Sequence, residues 1–529
     1  MGLYLNPGNT GFQTSLRSRI YVDKTGLIRY LNELLDTEDK FVCVSRPRRF
    51  GKSMAAKMLT AYYSCGCDSR EMFQNLEIGR ADSFEKHLNQ YDVIRLDIQL
   101  VWNMAKGEGA NGQIVSYIQR PVVAELRQEY GQYLSEEDRS LAGILQKITM
   151  LTGRRFVVII DEWDCVFREE KNNIEMQKEY VAFLRSLFKG VQAEECIHLA
   201  YLTGILPIKK YGTESALNNF DEYTMTNPGV LAKYVGFTEE EVKGLCEVYE
   251  MDFAEAKRWY DGYRFRRSTH IYNPRSIVQA MLNGEYENYW TQTETYESLR
   301  AYIDMNFDGL KDAIVYMIGG GHFEIDIGSF QNDMTSFRTK DDILTLLVHL
   351  GYLAYEKQYK EVFIPNEEVR EEFVRAVRGG GWEAVAAIFE NSKRLLEATL
   401  RKDEEAVAAG VEEAHLASVS TLSYNDENAL SCVISLAYIS ARADYTLIRE
   451  LPAGNGFADI VFLPHRYSDK PAIIVELKWN KTVAGAISQI KERKYVKALE
   501  NYGGELLLVG INYDKANKIH QCVIEKYNK

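Results

Sequence analysis

The sequence predicts an α/β protein built in sections: a parallel-sheet domain first, a mostly helical middle, and a second α/β core at the end. Three observations lead there. The apolar runs FVCV (41–44), FVVII (156–160) and CIHLAYL (196–202) stand apart along the first 205 residues, separated by stretches of helix formers. Such continuous runs are typical of parallel strands buried on both faces. From 421 onward the pattern reads helix, strand, strand, strand, helix, strand, and the stretch between reads as mainly helical.

The first run empties into RPRRFGKS (46–53), and MAAKMLTAYY (54–63) follows with good helix formers. Strand, loop ending Gly-Lys-Ser, then helix is the order a phosphate-binding loop needs. Backbone N–H groups at the helix start cradle phosphates, Lys52 reaches the β/γ oxygens, and the Ser53 hydroxyl holds Mg²⁺. Arg49, Phe50, Gly51 and Met54 belong to the same cradle. The generic pattern begins with glycine where this chain has Arg46, so a basic turn before a helix is the plainer alternative. The second run ends on Asp161-Glu162, at the strand end that faces the ligand crevice of a parallel sheet. Asp161 there binds Mg²⁺, directly or through water, and Glu162 orients or deprotonates the attacking water. A solvated acidic turn is the plainer reading of these two residues alone. The third run carries Thr203, placed to sense the γ-phosphate or simply to end a strand.

Seven segments in order, YVDKT (21–25), RPRRFGKS (46–53), IIDEWD (159–164), LTGI (202–205), LNNF (217–220), WYDGYRF (259–265) and YNPRSI (272–277), resemble the predicted AAA-ATPase-like family. The resemblance implies a P-loop NTPase domain over 1–235, with Arg46 a family feature and ATP and Mg²⁺ as ligands; the stretch 236–290 reads as a helical lid. Within 291–375, DDILTLLVHLGYLAYEKQYKEVFIPN (341–366) looks like a helix running into a β-hairpin, the end of a winged-helix-like unit. The acidic EEVREEF after it favours a packing role over DNA binding. Residues 376–418, with Gly379-Gly380-Gly381 and then Ala- and Glu-rich helix formers, read as a connector.

The last section, 419–529, holds strands YTLIREL (445–451), FADIVFL (457–463) and AIIVELKW (472–479), an amphipathic helix over 483–500, and ELLLVGI (505–511). Period-two alternation places Glu476 and Lys478 on one face, and a hairpin brings Asp459 beside them. Two carboxylates and a lysine suit a divalent metal and phosphodiester hydrolysis. This pattern resembles the PD-(D/E)XK nuclease core, a restriction-endonuclease-like fold, in the version fused to AAA-ATPase-like domains. The resemblance makes Asp459 and Glu476 metal ligands, Glu476 and Lys478 the (D/E)XK pair, Glu427 the acid of the first core helix, and Gln489 the glutamine of the later one. Mg²⁺, with Mn²⁺ as substitute, is the implied ion. Ala458 stands where the signature has proline. Glu427 also suits a first helical turn on dipole grounds alone, and Gln489 a solvated helix face.

A chain of 529 residues is long enough for about three to four domains. A net charge of −13 argues against a protein wrapped in nucleic acid over its whole surface. Lys478, Lys481, Lys491, Arg493, Lys494 and Lys497 nonetheless cluster near the proposed nuclease residues. The eight cysteines are scattered without zinc-site spacing, and the N-terminus lacks a signal-peptide pattern or a complete myristoylation motif. The expectation is a cytoplasmic protein with ATP and nucleic acid, most naturally DNA, as partners and no membrane. It couples an ATPase to a metal-dependent nuclease, or is a regulatory or signalling ATPase whose nuclease-like domain binds nucleic acid or protein without cutting.

Overall fold

The computed structural model describes all residues except 1, 209–216, 266–268, 291–295, 306, 308, 332–336, 379–381, 419–426, 454–455, 466–467, 494, 496–498, 500–501, 518 and 528–529. Two compact units divide the chain, one of residues 1–293 and 324–369, the other of 294–323 and 370–529.

In the first unit, strands β1 (Phe41–Ser45), β2 (Asp92–Asp97), β3 (Phe156–Asp161), β4 (Ile197–Gly204) and β5 (Asp221–Tyr223) form a parallel sheet in the order β2-β3-β4-β1-β5. Every residue of β1 and β3 is buried, the outcome expected when helices cover both faces of a parallel sheet. The helices Ile98–Gly107, Ile114–Tyr130, Leu141–Thr152 and Ile174–Phe188 supply much of that cover, with Ile118, Leu126, Ile148 and Leu184 packed into one apolar core with Leu96, Val158 and Leu202. Helix α1 (Lys52–Tyr63) starts behind Gly51, whose φ of 94° is a left-handed value that glycine adopts without strain. That residue ends the loop and starts α1 just beyond the C-terminal end of β1.

Next in this unit come three short antiparallel strands, Phe237–Thr238, Thr269–Tyr272 and Tyr263–Phe265, set among helices Glu239–Val248, Phe253–Tyr260 and Pro274–Asn283. The stretch read from sequence as a helical lid thus also contains a small sheet. Thr238 and Glu241 form a reciprocal capping box, and Asn273 caps the helix that opens with Pro274. The helix Lys340–Leu350, capped by Thr339 and ended by Gly351 at φ 88°, runs into the hairpin Ala354–Glu356 and Glu361–Phe363. Gly351 sits against Pro47 in the loop between β1 and α1, where an added Cβ would approach its ring to 2.7 Å, and its carbonyl accepts from the Tyr263 hydroxyl at 2.5 Å.

The second unit is built on a mixed sheet of β6 (Tyr445–Ala453), β7 (Gly456–Pro464), β8 (Ala472–Trp479), β9 (Leu506–Asp514) and β10 (Ile519–Tyr527), in chain order. Only β8 and β9 run parallel, because the helix Val483–Glu492 crosses between them. Helix α2 (Glu427–Ala437) precedes the sheet, and the crossover helix is α3. Residues paired across strands share a face, so Glu476, Lys478, Gly510 and Asn512 point one way. Helix α3 covers that face: a Cβ on Gly510 would lie 2.9 Å from the Val483 carbonyl oxygen and 3.0 Å from Ala486. Tyr513 and His520 point the other way, toward the helix Glu404–Ser418, whose His415 ring lies 4.9 Å from that of Tyr513. Strand β10 has no counterpart in the sequence expectation, which ends on a single strand. Among the described residues no helix is long and apolar enough to cross a membrane.

Candidate active sites

In the first unit the sites of interest collect at the C-terminal ends of β1, β3 and β4. Arg46 extends β1 by donating its N–H to Gly204 O at 3.0 Å, and its Nη1 donates to Ser45 O at 2.9 Å and Tyr223 O at 3.1 Å. The fully buried guanidinium also lies over the Phe265 ring at 5.0 Å. An arginine replaces the usual glycine here because it ties together the ends of β1, β4 and β5. Arg49 at φ 68° and Glu162 at φ 53° both occupy left-handed backbone, and such strain in non-glycine residues concentrates where a fold must aim particular groups.

Lys52 is buried, with Nζ donating to Pro47 O at 3.0 Å and lying 3.8 Å from Glu162 Oε1. Burial pulls its pKa down, and the Glu162 charge opposes that shift. Burial raises the Glu162 carboxyl in turn, with Lys52 opposing. The other Glu162 oxygen accepts from Arg168 Nη2 at 2.5 Å, and Arg168 Nε donates to Asp164 Oδ2 at 3.1 Å. Asp164 Oδ2 also accepts the N–H groups of Ile205 and Leu206 at 3.0 and 2.8 Å, fixing the turn after β3 to the turn after β4. Asp161 is buried at the end of β3, in register with Asp97 of β2, and its Oδ1 accepts from the Thr203 hydroxyl. Thr203 is therefore linked directly to Asp161.

A cavity of about 530 Å³ opens over this loop. Arg49, Phe50, Gly51, Lys52, Ser53, Met54 and Glu162 line one side; Tyr21, Phe237 and Val278 give it apolar walls; and Arg48 and Arg275 add positive charge. Ser53 is exposed at the start of α1, free of burial constraints on reaching an ion. Asp161 and Thr203 stand behind this cavity and are not among the residues that line it. The cavity combines cationic groups and helix-start N–H groups with an apolar compartment, the set of features that suits a nucleoside triphosphate.

Sequence reasoning passed over Arg168, Asp164 and Arg275. The (i, i+4) spacing of Asp164 and Arg168 was a readable pairing signal, and Arg275 follows an Asn-Pro helix start. Gly204 is a further position of consequence: an added Cβ would fall 2.6 Å from Trp163 Nε1 and 2.8 Å from Asp164 Oδ1. We expect Gly204→Ala to destabilise the first unit by about 1–3 kcal/mol through overpacking. An unchanged urea midpoint would count against this close packing.

In the second unit Asp459, Glu476, Lys478 and Gln489 converge. The β7–β8 ladder runs Phe462↔Ile473, Val461↔Ile474, Ile460↔Val475, and extending that register sets Asp459 beside Glu476. On the other side β6 and β7 pair through Arg449↔Ile460 and again from Leu451↔Ala458, with Glu450 at φ 50° between them. The ladder thus lapses around Asp459, whose Oδ2 accepts the Leu477 N–H at 2.6 Å. Glu476 Oε1 accepts from Lys478 Nζ at 2.7 Å and from Gln489 Nε2 on α3. Glu476 Oε2 is buried and has no hydrogen-bond partner among the described residues. Burial first, and the nearby Asp459 charge second, raise the Glu476 pKa to about 7, with Lys478 acting to lower it.

An orphaned buried carboxylate oxygen is costly, and the donor set around it fits a hard divalent cation, which takes oxygen ligands. Glu427 opens α2, but its side chain lies outside the described residues. Of the expected basic cluster, Lys481, Lys491 and Arg493 are exposed, Lys491 pairing with Glu525 at 2.5 Å. Lys494 and Lys497 lie outside the described residues.

Residues 11–213 match the family model described as predicted AAA-ATPase, and residues 425–522 match that of the PD-(D/E)XK nuclease superfamily. Among solved structures the chain is similar to the ORC2 protein of Aeropyrum pernix in its ADPNP-ADP complexes, at 11% identity over 68% of this chain and 96% of that one, with a TM-score of 0.29. It is similar to PCH-2 of C. elegans at 13% identity over 64% and 70% of the two chains, TM-score 0.23. It is also similar to the Aeropyrum pernix ORC1 protein in complex with DNA at 10% identity over 72% and 98%, TM-score 0.23. No curated protein matches the chain.

Proposed function

We propose that this chain, an AAA-ATPase-like domain joined to a domain of the PD-(D/E)XK nuclease superfamily, hydrolyses ATP in its first unit and cleaves nucleic acid, DNA in the first instance, in its second. The observation that carries the nuclease reading is the unsatisfied, buried Oε2 of Glu476 beside Asp459 and Lys478. Asp459 and Glu476 would hold Mg²⁺, with Mn²⁺ as a substitute. Bound there, the ion supplies charge neutralisation at a scissile phosphate and a more acidic water. Lys478 stabilises charge developing on the phosphate, while Gln489 and Lys478 together fix the orientation of Glu476 through Oε1.

In the ATPase unit, Lys52 and the helix-start N–H groups would take the phosphates; Ser53 would hold Mg²⁺, and Asp161, which does not line the cavity, would reach the ion through water. Glu162 orients the water after exchanging its Lys52 and Arg168 contacts for the substrate. Exposed Lys481 and Arg493 offer phosphate contacts near the nuclease residues. That no disulfide joins any of the eight cysteines supports a reducing, cytoplasmic setting.

The deciding experiment incubates the purified full chain with single-stranded, duplex and branched DNA, with and without ATP, in Mg²⁺ or Mn²⁺. We expect cleavage that requires the metal and disappears in Glu476→Ala. Absence of cleavage on every substrate, with ATP hydrolysis intact, would leave a regulatory ATPase with a nuclease-like binding domain. If ATP gates cleavage, linkage demands reciprocity: whatever factor ATP applies to DNA affinity, DNA applies to ATP affinity. In a Glu162→Gln, Glu476→Ala chain, which consumes neither ligand, we expect ATP affinity to rise on adding DNA. Equal affinities would show two uncoupled activities.

A further inference from the structure

On the face of the second sheet opposite Glu476, a separate group of side chains converges between a helix and the edge strand. Glu412 and His415 are three residues apart on the helix Glu404–Ser418, the spacing that stacks two side chains on one helical face. Across from them stands His520 of β10, held in register by its pairing with Tyr513. One potential ligand atom from each of Glu412, His415 and His520 lies within 4.8 Å of the other two. His520 Nδ1 and Glu412 Oε2 are 2.5 Å apart, and the His520 N–H donates to the same oxygen at 3.1 Å. His415 and His520 are almost fully buried, and Glu412 is half-buried at the rim. The His415 and His520 rings stand perpendicular with centroids 5.0 Å apart, and the Tyr513 ring packs against both at 4.9 and 4.8 Å.

We propose that Glu412, His415 and His520 form a zinc site that fastens the helix Glu404–Ser418 to the edge strand β10. Two imidazoles and one carboxylate are the ligand types zinc takes, three from the protein leaving a fourth position for water. Magnesium, which prefers an all-oxygen shell, is a poor match for two imidazoles. Ordinary Zn–N and Zn–O bonds of about 2.0–2.2 Å require ligand atoms spaced roughly 3–3.5 Å apart. The ion therefore needs only small side-chain rotations: the Glu412–His520 contact opens and His415 moves inward. Packing against Tyr513 limits the alternatives open to both rings, and such fixed orientation favours binding. Because Glu476 and Lys478 occupy the other face of the sheet, this ion would sit apart from the proposed cleavage chemistry and act by joining helix to strand.

The plain alternative is a hydrogen-bonded clamp that never takes a metal, and the two differ in metal retention. The test uses full-length chain carrying Asp459→Ala and Glu476→Ala, which empties the other candidate metal position, stripped with chelator and titrated with Zn²⁺ against a chromophoric competitor. We expect one Zn²⁺ per chain, a rise in Tm on binding, and a visible absorption band on Co²⁺ substitution. His415→Ala should weaken Zn²⁺ binding at least about tenfold, as loss of one of three ligands demands. Glu412→Gln should do the same while keeping an acceptor for the His520 donors, so this variant remains informative even where His415→Ala fails to fold. No Zn²⁺ uptake, or uptake unchanged in Glu412→Gln, overturns the proposal and leaves the clamp.

Discussion

Glu476→Gln will fold normally and lose metal-dependent cleavage by at least about a thousandfold, the consequence of removing roughly 4 kcal/mol of metal-mediated stabilisation of the transition state. The substitution suits the question because glutamine keeps the shape of the side chain. Its carbonyl oxygen still accepts from Lys478 and Gln489, the two donors that meet Oε1. Oε2, the oxygen with no hydrogen-bond partner among the described residues, is replaced by a neutral NH₂ group that cannot ligate a cation. Alanine would open a cavity as well and mix a stability effect into the rate. Retained cleavage in Glu476→Gln, at any fixed Mn²⁺ concentration that supports the wild type, would sink the nuclease assignment.

The same carboxylate predicts a pH dependence with a definite sign. Its pKa stands at about 7 in the folded protein, against an ordinary 4.5, with burial the main cause and Asp459 the second. Between about pH 4.5 and about pH 7, Glu476 in the metal-free folded state therefore holds a proton that the unfolded chain has released. Its contribution to stability is largest below the unfolded value and falls as pH rises from about 4.5 to about 7. A divalent ion competes with that proton, so apparent metal affinity should climb with pH up to about 7 and level off above it. Titrating Mn²⁺ binding across this range in wild type and in Glu476→Gln checks the point, since the variant should lose the slope.

Much of this second site is legible from sequence because it depends on short-range geometry. Alternation in AIIVELKW puts Glu476 and Lys478 on one face, and a hairpin of the two neighbouring apolar runs is enough to bring Asp459 alongside. Other features needed the folded chain. The lapse in pairing at Asp459 depends on Glu450 taking a left-handed conformation, and glutamate there gives no sequence signal of the kind glycine or asparagine would. Strand β10 was missed because His520, Gln521, Glu525 and Lys526 dilute its alternation, as expected of an edge strand with one solvated face. In the first unit, IIDEWD spans the end of β3, but the Arg168 contact to Glu162 depends on a turn with Glu162 at φ 53°. Arg46 shows the reverse case. Read as a departure from a motif it weakens the assignment, yet its contacts to Ser45, Gly204 and Tyr223 explain why this loop takes arginine.

In the first unit Lys52→Ala and Glu162→Gln should separate binding from turnover. Lys52 is the buried cation at the start of α1, and ATP would exchange its contacts with Pro47 O and Glu162 for phosphate oxygens. Charge-assisted hydrogen bonds of this kind are worth about 1.5–3 kcal/mol, so Lys52→Ala should weaken ATP binding roughly 10- to 150-fold. Glu162→Gln leaves that cation in place and removes only the carboxylate that would position or deprotonate the water. It should retain ATP binding and lose about a hundred- to ten-thousandfold in turnover. There is a second consequence of the Glu162 contacts: Arg168 holds one oxygen at 2.5 Å and Lys52 approaches the other at 3.8 Å. Neutralising Glu162 weakens both restraints, so ATP affinity in Glu162→Gln should equal or exceed that of the wild type, because Lys52 no longer leaves a carboxylate to reach phosphate. Equilibrium binding of a fluorescent ATP analogue and phosphate release, measured on the same preparations, read the two effects separately. Wild-type hydrolysis in both variants would reject the phosphate-loop assignment. Equal loss of binding in both would mean that Glu162 holds the loop together and leaves the water to another group.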